Sequence, residues 1–378
     1  MARRARGACN GAGVSTAAVV ERVRAARESR QGLRVHGAGT WLDAGRPVSA
    51  TGTVSIADDR GIVEYVPGDL TMTARGGSTL SELNRAAREH GQWLALEPWG
   101  SPNATLGATL ATATAGPYAA AFGLPRDIVL GMEFVTGTGD VVRSGGRVVK
   151  NVAGFDLTRL LTGSWGTLGV ITEASVRLRA LPPRSRTVAV AVNDARVELL
   201  AEAARRIRAL PFAPFTCELV NGALADRLGL VPRAAILMEL GGNAPALEAQ
   251  LDLLADIGAV EDAPGSPIAA LRGADAGCVA SWRLSAKPSR FAQLWKDASA
   301  LPGALLHGSV SRGVVRVLAT AGTSVPAARP ADAALVVERM PASEWAAFPV
   351  TTDPLAESVR AKFDPDRILN PGILGGVA

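Results

Sequence analysis

Cysteine, histidine and aromatic residues are scarce in this chain, and it has no long run of large aliphatic residues. The three cysteines among 378 residues, Cys9, Cys217 and Cys278, are odd in number, far apart and free of CxxC spacing. A disulfide framework, or an iron–sulfur cluster ligated by this chain, is thereby excluded, and a reducing cytoplasm is the expected compartment. Only His36, His90 and His307 carry imidazole, and no metal site is expected. Forty Lys+Arg against 35 Asp+Glu leave a net charge of +5. Spread over this length, that charge describes a solvated surface and not a nucleic-acid footprint. Both common nucleotide fingerprints are absent: no lysine follows a glycine loop as in a P-loop, and no GxGxxG spacing occurs.

The N-terminal segment carries Arg3, Arg4 and Arg6 with no apolar run behind them, so residues 1–14 are expected to be a disordered tail and not a secretory signal. Pro98 to Pro125 is free of charge over 28 residues. Its glycines, threonines and internal prolines argue against a membrane span, so contact with a membrane is expected only through partners. What the sequence has in excess is glycine. Of 41 glycines, 23 fall between Gln31 and Ala180, marking places where the backbone turns sharply or approaches a ligand closely.

The length and 48% apolar content suit two or three domains. Residues 15–183 read as one α+β unit. A helical pattern from Ser15 stops at Gly32, and strand Leu33 to Val35 follows. Strands Ile62 to Val66 and Thr71 to Arg75 pair across Pro67-Gly68-Asp69. A helix then runs from Thr79 to His90, with Ser78 as its N-cap. Strands Ile128 to Thr136 and Val141 to Ser144 come next, with Arg126-Asp127 before them as an ion pair or cap, and a long alternating strand Gly169 to Leu181 closes the unit. Residues 184–350 interleave strands (Val188 to Val192, Thr216 to Val220, Ala234 to Leu240, Leu305 to Ser309, Val314 to Ala319, Ala334 to Arg339) with helices (Ala195 to Leu210, Ala246 to Ile257, Phe291 to Leu301). That order predicts an antiparallel sheet with helices on one face. Residues 351–378 form a closing segment.

Three stretches carry chemistry. Gly37-Ala38-Gly39-Thr40 follows a strand, and its backbone N–H groups could form an anion-binding nest or an ordinary turn. From Glu97 to Tyr118 a run of small residues buries little area by itself. It needs either tight helix packing or a flat polycyclic ligand against it. Lys150 to Leu157, then Gly163, Gly166 and Gly169 ahead of a strand, again present bare backbone.

Taken in order, Gly37 to Thr40, Gly76-Gly77-Ser78-Thr79-Leu80-Ser81-Glu82-Leu83, Thr105-Leu106-Gly107-Ala108, Lys150 to Leu157 and Gly163 to Glu173 resemble the FAD-binding domain of the vanillyl-alcohol oxidase, or PCMH, type. Within it, the sequence is most similar to the FAD-binding subunit family of bacterial glycolate oxidase, and Asp364 to Gly372 resembles that family's return to the flavin domain. The resemblance implies a two-part FAD-binding domain joined by an antiparallel cap. It implies that Gly37, Ala38, Gly39 and Thr40 hold the FAD diphosphate, and that Thr105, Leu106 and Gly107 line the diphosphate and isoalloxazine. Gly169 and Ile171 would meet the adenosine end, Gly166 would also bind the cofactor, and Asn370 would close over the flavin. His36 stands where this subunit type has another polar residue, which implies non-covalent FAD.

Oxidising a 2-hydroxy acid needs a cation for the carboxylate, a base for the hydroxyl proton and a flavin to accept hydride. Related flavin dehydrogenases have a Trp-Arg pair whose arginine grips the carboxylate. The similar Trp282-Arg283 makes Arg283 the first candidate here and Lys287 the second, against a basic surface loop. His307 is the remaining base candidate, although Leu305-Leu306 beside it also suit a plain strand. The His-x-Gly-Asp-Gly-Asn-x-His segment of the catalytic subunit is absent. The resemblance therefore implies a subunit acting on glycolate or another small 2-hydroxy acid beside a catalytic flavin subunit and an iron–sulfur subunit. The alternatives are a self-sufficient oxidoreductase and a non-catalytic FAD relay.

Overall fold

The computed structural model describes residues 15–146, 155–326, 332–348, 350 and 353–375. The tail with Cys9 and the Lys150 to Gly154 part of the third motif lie outside the described residues. Ser15 caps the helix Thr16–Glu28, which buries Val19, Val23 and Ala26 on one face. That face covers a two-stranded parallel unit, Leu33–His36 beside Gly52–Ser55, and shares a small core with Val135, Val170, Ile368 and Leu369.

The five-stranded antiparallel sheet runs in the order Ile62–Val66, Thr71–Arg75, Val170–Arg177, Val129–Val135, Val141–Gly145. Its first two strands pair across Pro67-Gly68-Asp69. Helix Leu80–Arg88 is capped by Thr79, which forms a reciprocal capping box with Glu82. Ser78 is not the cap, because its hydroxyl is taken by the backbone of Gly61. Asp127 accepts a hydrogen bond from the Leu124 N–H at 3.0 Å and so serves as a cap.

The long alternating strand expected over Gly169 to Leu181 is two strands. Val170–Arg177 is buried on both faces, since the Thr16–Glu28 helix packs on one side of the sheet and Leu80–Arg88 and Leu106–Thr112 on the other. After Leu178 the chain turns, and Arg179–Ala180 pairs with Gln92–Trp93.

The remainder builds an eight-stranded sheet, antiparallel throughout: Val260–Asp262, Arg184–Ala191, Ala235–Gly242, Thr216–Val220, Leu305–Ser309, Val314–Ala319, Ala280–Ser285, Ala334–Arg339. Helices Val197–Arg208, Ala244–Ala255 and Phe291–Ser299 close one face over a core that includes Trp282 and Trp295. The short helices Gly222–Arg227 and Pro267–Arg272 join the other face.

That second face meets the first part of the chain through Trp93, Ala95 and Tyr118. Three polar ties fix the contact. Tyr118 donates to Glu239 at 2.6 Å, Arg272 pairs with Glu97 at 2.6 Å, and Arg339 pairs with Asp43 at 3.1 Å. The closing segment forms helix Pro354–Phe363 and then a turn organised by Asp364, whose carboxylate accepts from the N–H groups of Ile368 and Leu369. Leu33 donates its N–H to Ile368 and accepts from Asn370, which ties the end of the chain beside its first strand.

Candidate flavin site

The strand Leu33–His36 delivers the loop Gly37 to Thr40 to the rim of an open cavity. Much of its wall is backbone, for a steric reason. A Cβ on Gly37 would fall 2.0 Å from Thr105 Oγ1, and one on Gly107 would fall 2.9 Å from the Ile171 carbonyl oxygen. Gly39 has φ +71, which turns the loop where a side chain would strain it. Gly37, Ala38, Gly39, Thr40, Gly107, Gly166, Gly169, Ile171 and Asn370 all line this one cavity.

Two of the sequence-derived residues sit behind the wall. Leu106 is fully buried in the core beneath the five-stranded sheet. Thr105 is equally buried, and its hydroxyl has no partner among the described residues. The Thr-Leu-Gly triplet therefore presents only its glycine, while the other two support the wall from behind.

Asn370 closes one end as a two-sided clamp. Its Oδ1 accepts from the Val35 N–H at 2.8 Å, and its Nδ2 donates to the carbonyl oxygens of Trp165 at 2.7 Å and Val35 at 3.4 Å. Sequence reasoning missed the aromatic residues around the cavity. Trp41 follows the glycine loop directly, Trp165 precedes Gly166, and Trp99 lies in the uncharged run. Arg34 also lines the cavity. It is half-buried, its guanidinium donates to the Leu42 carbonyl at 2.9 Å, and burial holds its pKa below the usual value. His36 Nδ1 lies 2.8 Å from the Gly37 carbonyl oxygen, a local contact. His90 is exposed, its ring edge-on to Tyr65.

None of the three candidates for substrate chemistry lines the cavity. Two of them share the sheet face that looks toward it. The segment around Trp282-Arg283 is not a surface loop: Ala280–Ser285 is an inner strand, with Trp282 fully buried on the helix side. Arg283 faces the other way, in register with Arg316, and Arg316 in turn is in register with His307. Lys287 stands exposed beyond the strand end.

His307 is 1% exposed and its ring lies 4.3 Å from that of Trp99. Its Nδ1 lies 3.1 Å from Glu218 Oε2, and its Nε2 has no partner among the described residues. Burial pushes the Glu218 carboxyl up to about 8, and burial, with the Arg316 charge added, drives His307 well below its usual value. Both shifts favour the uncharged form of each partner. Arg316 is held by Glu338 at 2.6 Å and Asp275 at 3.1 Å, and lies over the Trp99 ring at 5.4 Å. Arg283 is half-buried, with no ion pair or side-chain hydrogen bond among the described residues. Among the described residues no cluster of three or more His, Cys, Asp or Glu could hold a metal ion, and no helix is long and apolar enough to cross a membrane.

An α+β shell with a bare-backbone loop at a strand end, glycines at close approaches and an antiparallel sheet lying over the cavity defines a PCMH-type flavin-binding fold. Residues 13–145 match the family described as FAD binding domain, and FAD is the cofactor of this chain. The cavity fits that group. It offers bare backbone for a diphosphate, three indole rings for flat ring systems, and an indole N–H of Trp41 that is buried without a partner among the described residues.

Among curated proteins, the chain is 41% identical over 170 residues to glycolate oxidase subunit GlcE of Escherichia coli (strain K12), covering 44% of this chain and 48% of that one. It is 32% identical over 195 residues to glycolate oxidase subunit GlcD of Bacillus subtilis (strain 168), covering 51% and 41%. It is 30% identical over 186 residues to a D-2-hydroxyglutarate dehydrogenase of Xanthomonas citri pv. viticola, covering 48% and 39%. The chain thus spans about half the length, or less, of these relatives. Among solved structures, an alkyldihydroxyacetonephosphate synthase superposes with a TM-score of 0.67 at 17% identity, covering 94% of this chain and 74% of that one, a likeness of fold.

Proposed function

We propose that this chain is the FAD-binding subunit of a glycolate oxidase (glycolate dehydrogenase) complex, in which glycolate is oxidised to glyoxylate. It would work in the cytoplasm beside a catalytic flavin subunit and an iron–sulfur subunit that takes the electrons, meeting the membrane only through them. The observation that carries the reading is the row His307, Arg316, Arg283 on the cap face, with Trp99 touching both that row and the cavity. When bound, FAD supplies the two-electron acceptor for the hydrogen on the substrate's C2.

The residues of this chain have distinct tasks. Gly37 to Thr40 and Asn370 position the cofactor without a covalent tether. Arg283, a fixed cation with no partner of its own among the described residues, holds the substrate carboxylate. Arg316 cannot share that task, since two carboxylates already hold it. His307 takes the hydroxyl proton at Nε2, with Glu218 fixing the ring through Nδ1. Trp99 separates this group from the cavity and must turn aside for it to act.

That same separation favours a second reading, an electron relay in which this flavin never touches substrate. Among the described residues, the only ionisable side chains lining the cavity are Arg34 and His36. Co-purification of the tagged chain from its own cell, followed by anaerobic addition of glycolate to the isolated subunit, separates the two. Catalysis by this chain predicts bleaching of its flavin, and the relay predicts bleaching only in the complex. A chain that recovers no flavin-bearing or iron–sulfur companion contradicts the complex.

A further inference from the structure

Trp41 and Trp165 stack with ring centroids 6.2 Å apart and planes 21° from parallel, and both line the cavity. Three features mark the pair as more than packing. Trp165 has φ +54, a left-handed conformation that a bulky residue adopts only under constraint. Two backbone contacts impose it: the Trp165 N–H donates to the Ala111 carbonyl at 2.8 Å, and its carbonyl accepts from Asn370 at 2.7 Å. Strain of this kind persists where the surroundings over-determine it, and it gathers at ligand clamps. Room for the Trp165 ring comes from Gly45, where a Cβ would stand 3.0 Å from Trp165 Cζ3. The Trp41 Nε1–H is buried and unpartnered among the described residues, a cost that a bound acceptor would remove.

The loop after Trp41 also shows which end of a dinucleotide the pair faces. Asp43 is paired with Arg339, and the Gly45 N–H donates to the Glu338 carbonyl at 2.8 Å. Both partners belong to the cap strand Ala334–Arg339, beside the strand that carries Arg283. The pair therefore stands at the cap end of the cavity, whereas Ile56, Val170 and Ile171 lie toward the core under the Thr16–Glu28 helix and the five-stranded sheet.

We propose that Trp41 and Trp165 form an aromatic wall against the isoalloxazine ring of FAD, fixing that ring at the cap end of the cavity. The proposal rests on this cavity being the FAD site. An indole in contact with isoalloxazine passes one electron to the photoexcited ring and takes it back without emission, so the bound flavin should be dark.

The test reconstitutes the full chain with FAD, quantifies bound flavin by absorbance and measures emission per bound flavin. Trp41→Leu, Trp165→Leu and their Phe counterparts are compared with Trp295→Phe in the cap core; the Phe variants serve if a Leu variant does not fold. Wild type should bind FAD with emission below that of free FAD. Each Leu variant should brighten the bound flavin several-fold and weaken both FAD and FMN binding about tenfold, and Trp295→Phe should change neither. Variants that bind FAD with unchanged emission and affinity would overturn the proposal while leaving the FAD site standing. So would a loss of ADP affinity with FMN binding unchanged, which would seat the adenine there instead. A folded wild type that takes up no flavin would overturn the FAD site itself, and this proposal with it.

Discussion

Glu218 and His307 lie 3.1 Å apart on neighbouring strands, both almost wholly removed from water, and burial favours the uncharged form of each. The Glu218 carboxyl rises to about 8 in the folded chain from about 4.5 in the unfolded chain, because burial penalises its anion. Its contribution to stability is thus fully present below pH 4.5 and is lost as pH rises through 8. Glu218→Gln removes that titration and keeps the shape. From pH 5 to pH 8.5 wild type should lose on the order of 3 kcal/mol of stability relative to the variant, several degrees in melting temperature. Thermal melts across that range check it, and a gap that stays constant would mean that Glu218 is ionised in the fold.

Gly37 has no room for a side chain, since the Thr105 hydroxyl occupies the place of a Cβ. Gly37→Ala should push the loop off its course and weaken FAD binding by roughly ten- to a hundredfold, about 1.4–2.8 kcal/mol. Adding Thr105→Ala removes the clashing oxygen, leaving contacts of 3.1 Å and beyond, and should restore part of the loss. Titration of FAD into the two variants measures this, and equal affinities would show that the clash is not the cause.

Asn370 joins the end of the chain to both rims of the cavity through Val35 and Trp165. It sits at φ +42, which asparagine tolerates better than most residues. Asn370→Ala should cost about 2–4 kcal/mol in denaturant unfolding and lower FAD affinity in parallel. Asn370→Gly keeps the backbone conformation and should cost less. Equal losses in the two variants would place the whole effect in the side-chain hydrogen bonds.

Most of the elements could be read from the sequence, because their signals are local. The Pro67-Gly68-Asp69 turn, the periodicity of Leu80, Leu83 and Ala87, and the alternation in the cap strands each follow from neighbours in the chain. What was misread depends on neighbours in space. Ala280–Ser285 carries a strand's alternation over only six residues, and the basic Arg283 with Lys287-Pro288 beyond it makes a surface loop the competing reading. Only its place between two other strands buries Trp282 and orients Arg283. Leu106 carries a motif position that resembles a flavin contact, yet its side chain turns into the core. The glycines that line the cavity were visible as a compositional excess. The tryptophans opposite them were not, because one Trp after a glycine loop carries no periodic signal.

The cavity walled by Gly37 to Thr40, Gly107, Gly166 and Asn370 is proposed to hold FAD without a covalent bond. The direct measurement is to purify the chain, reconstitute it with FAD, remove free ligand, record the flavin spectrum and then precipitate the protein with acid. The account predicts about one flavin per chain, released into the supernatant on precipitation, and a sharp loss of uptake in Gly37→Ala. A folded protein that retains no flavin, or a flavin that stays in the protein pellet, would contradict it.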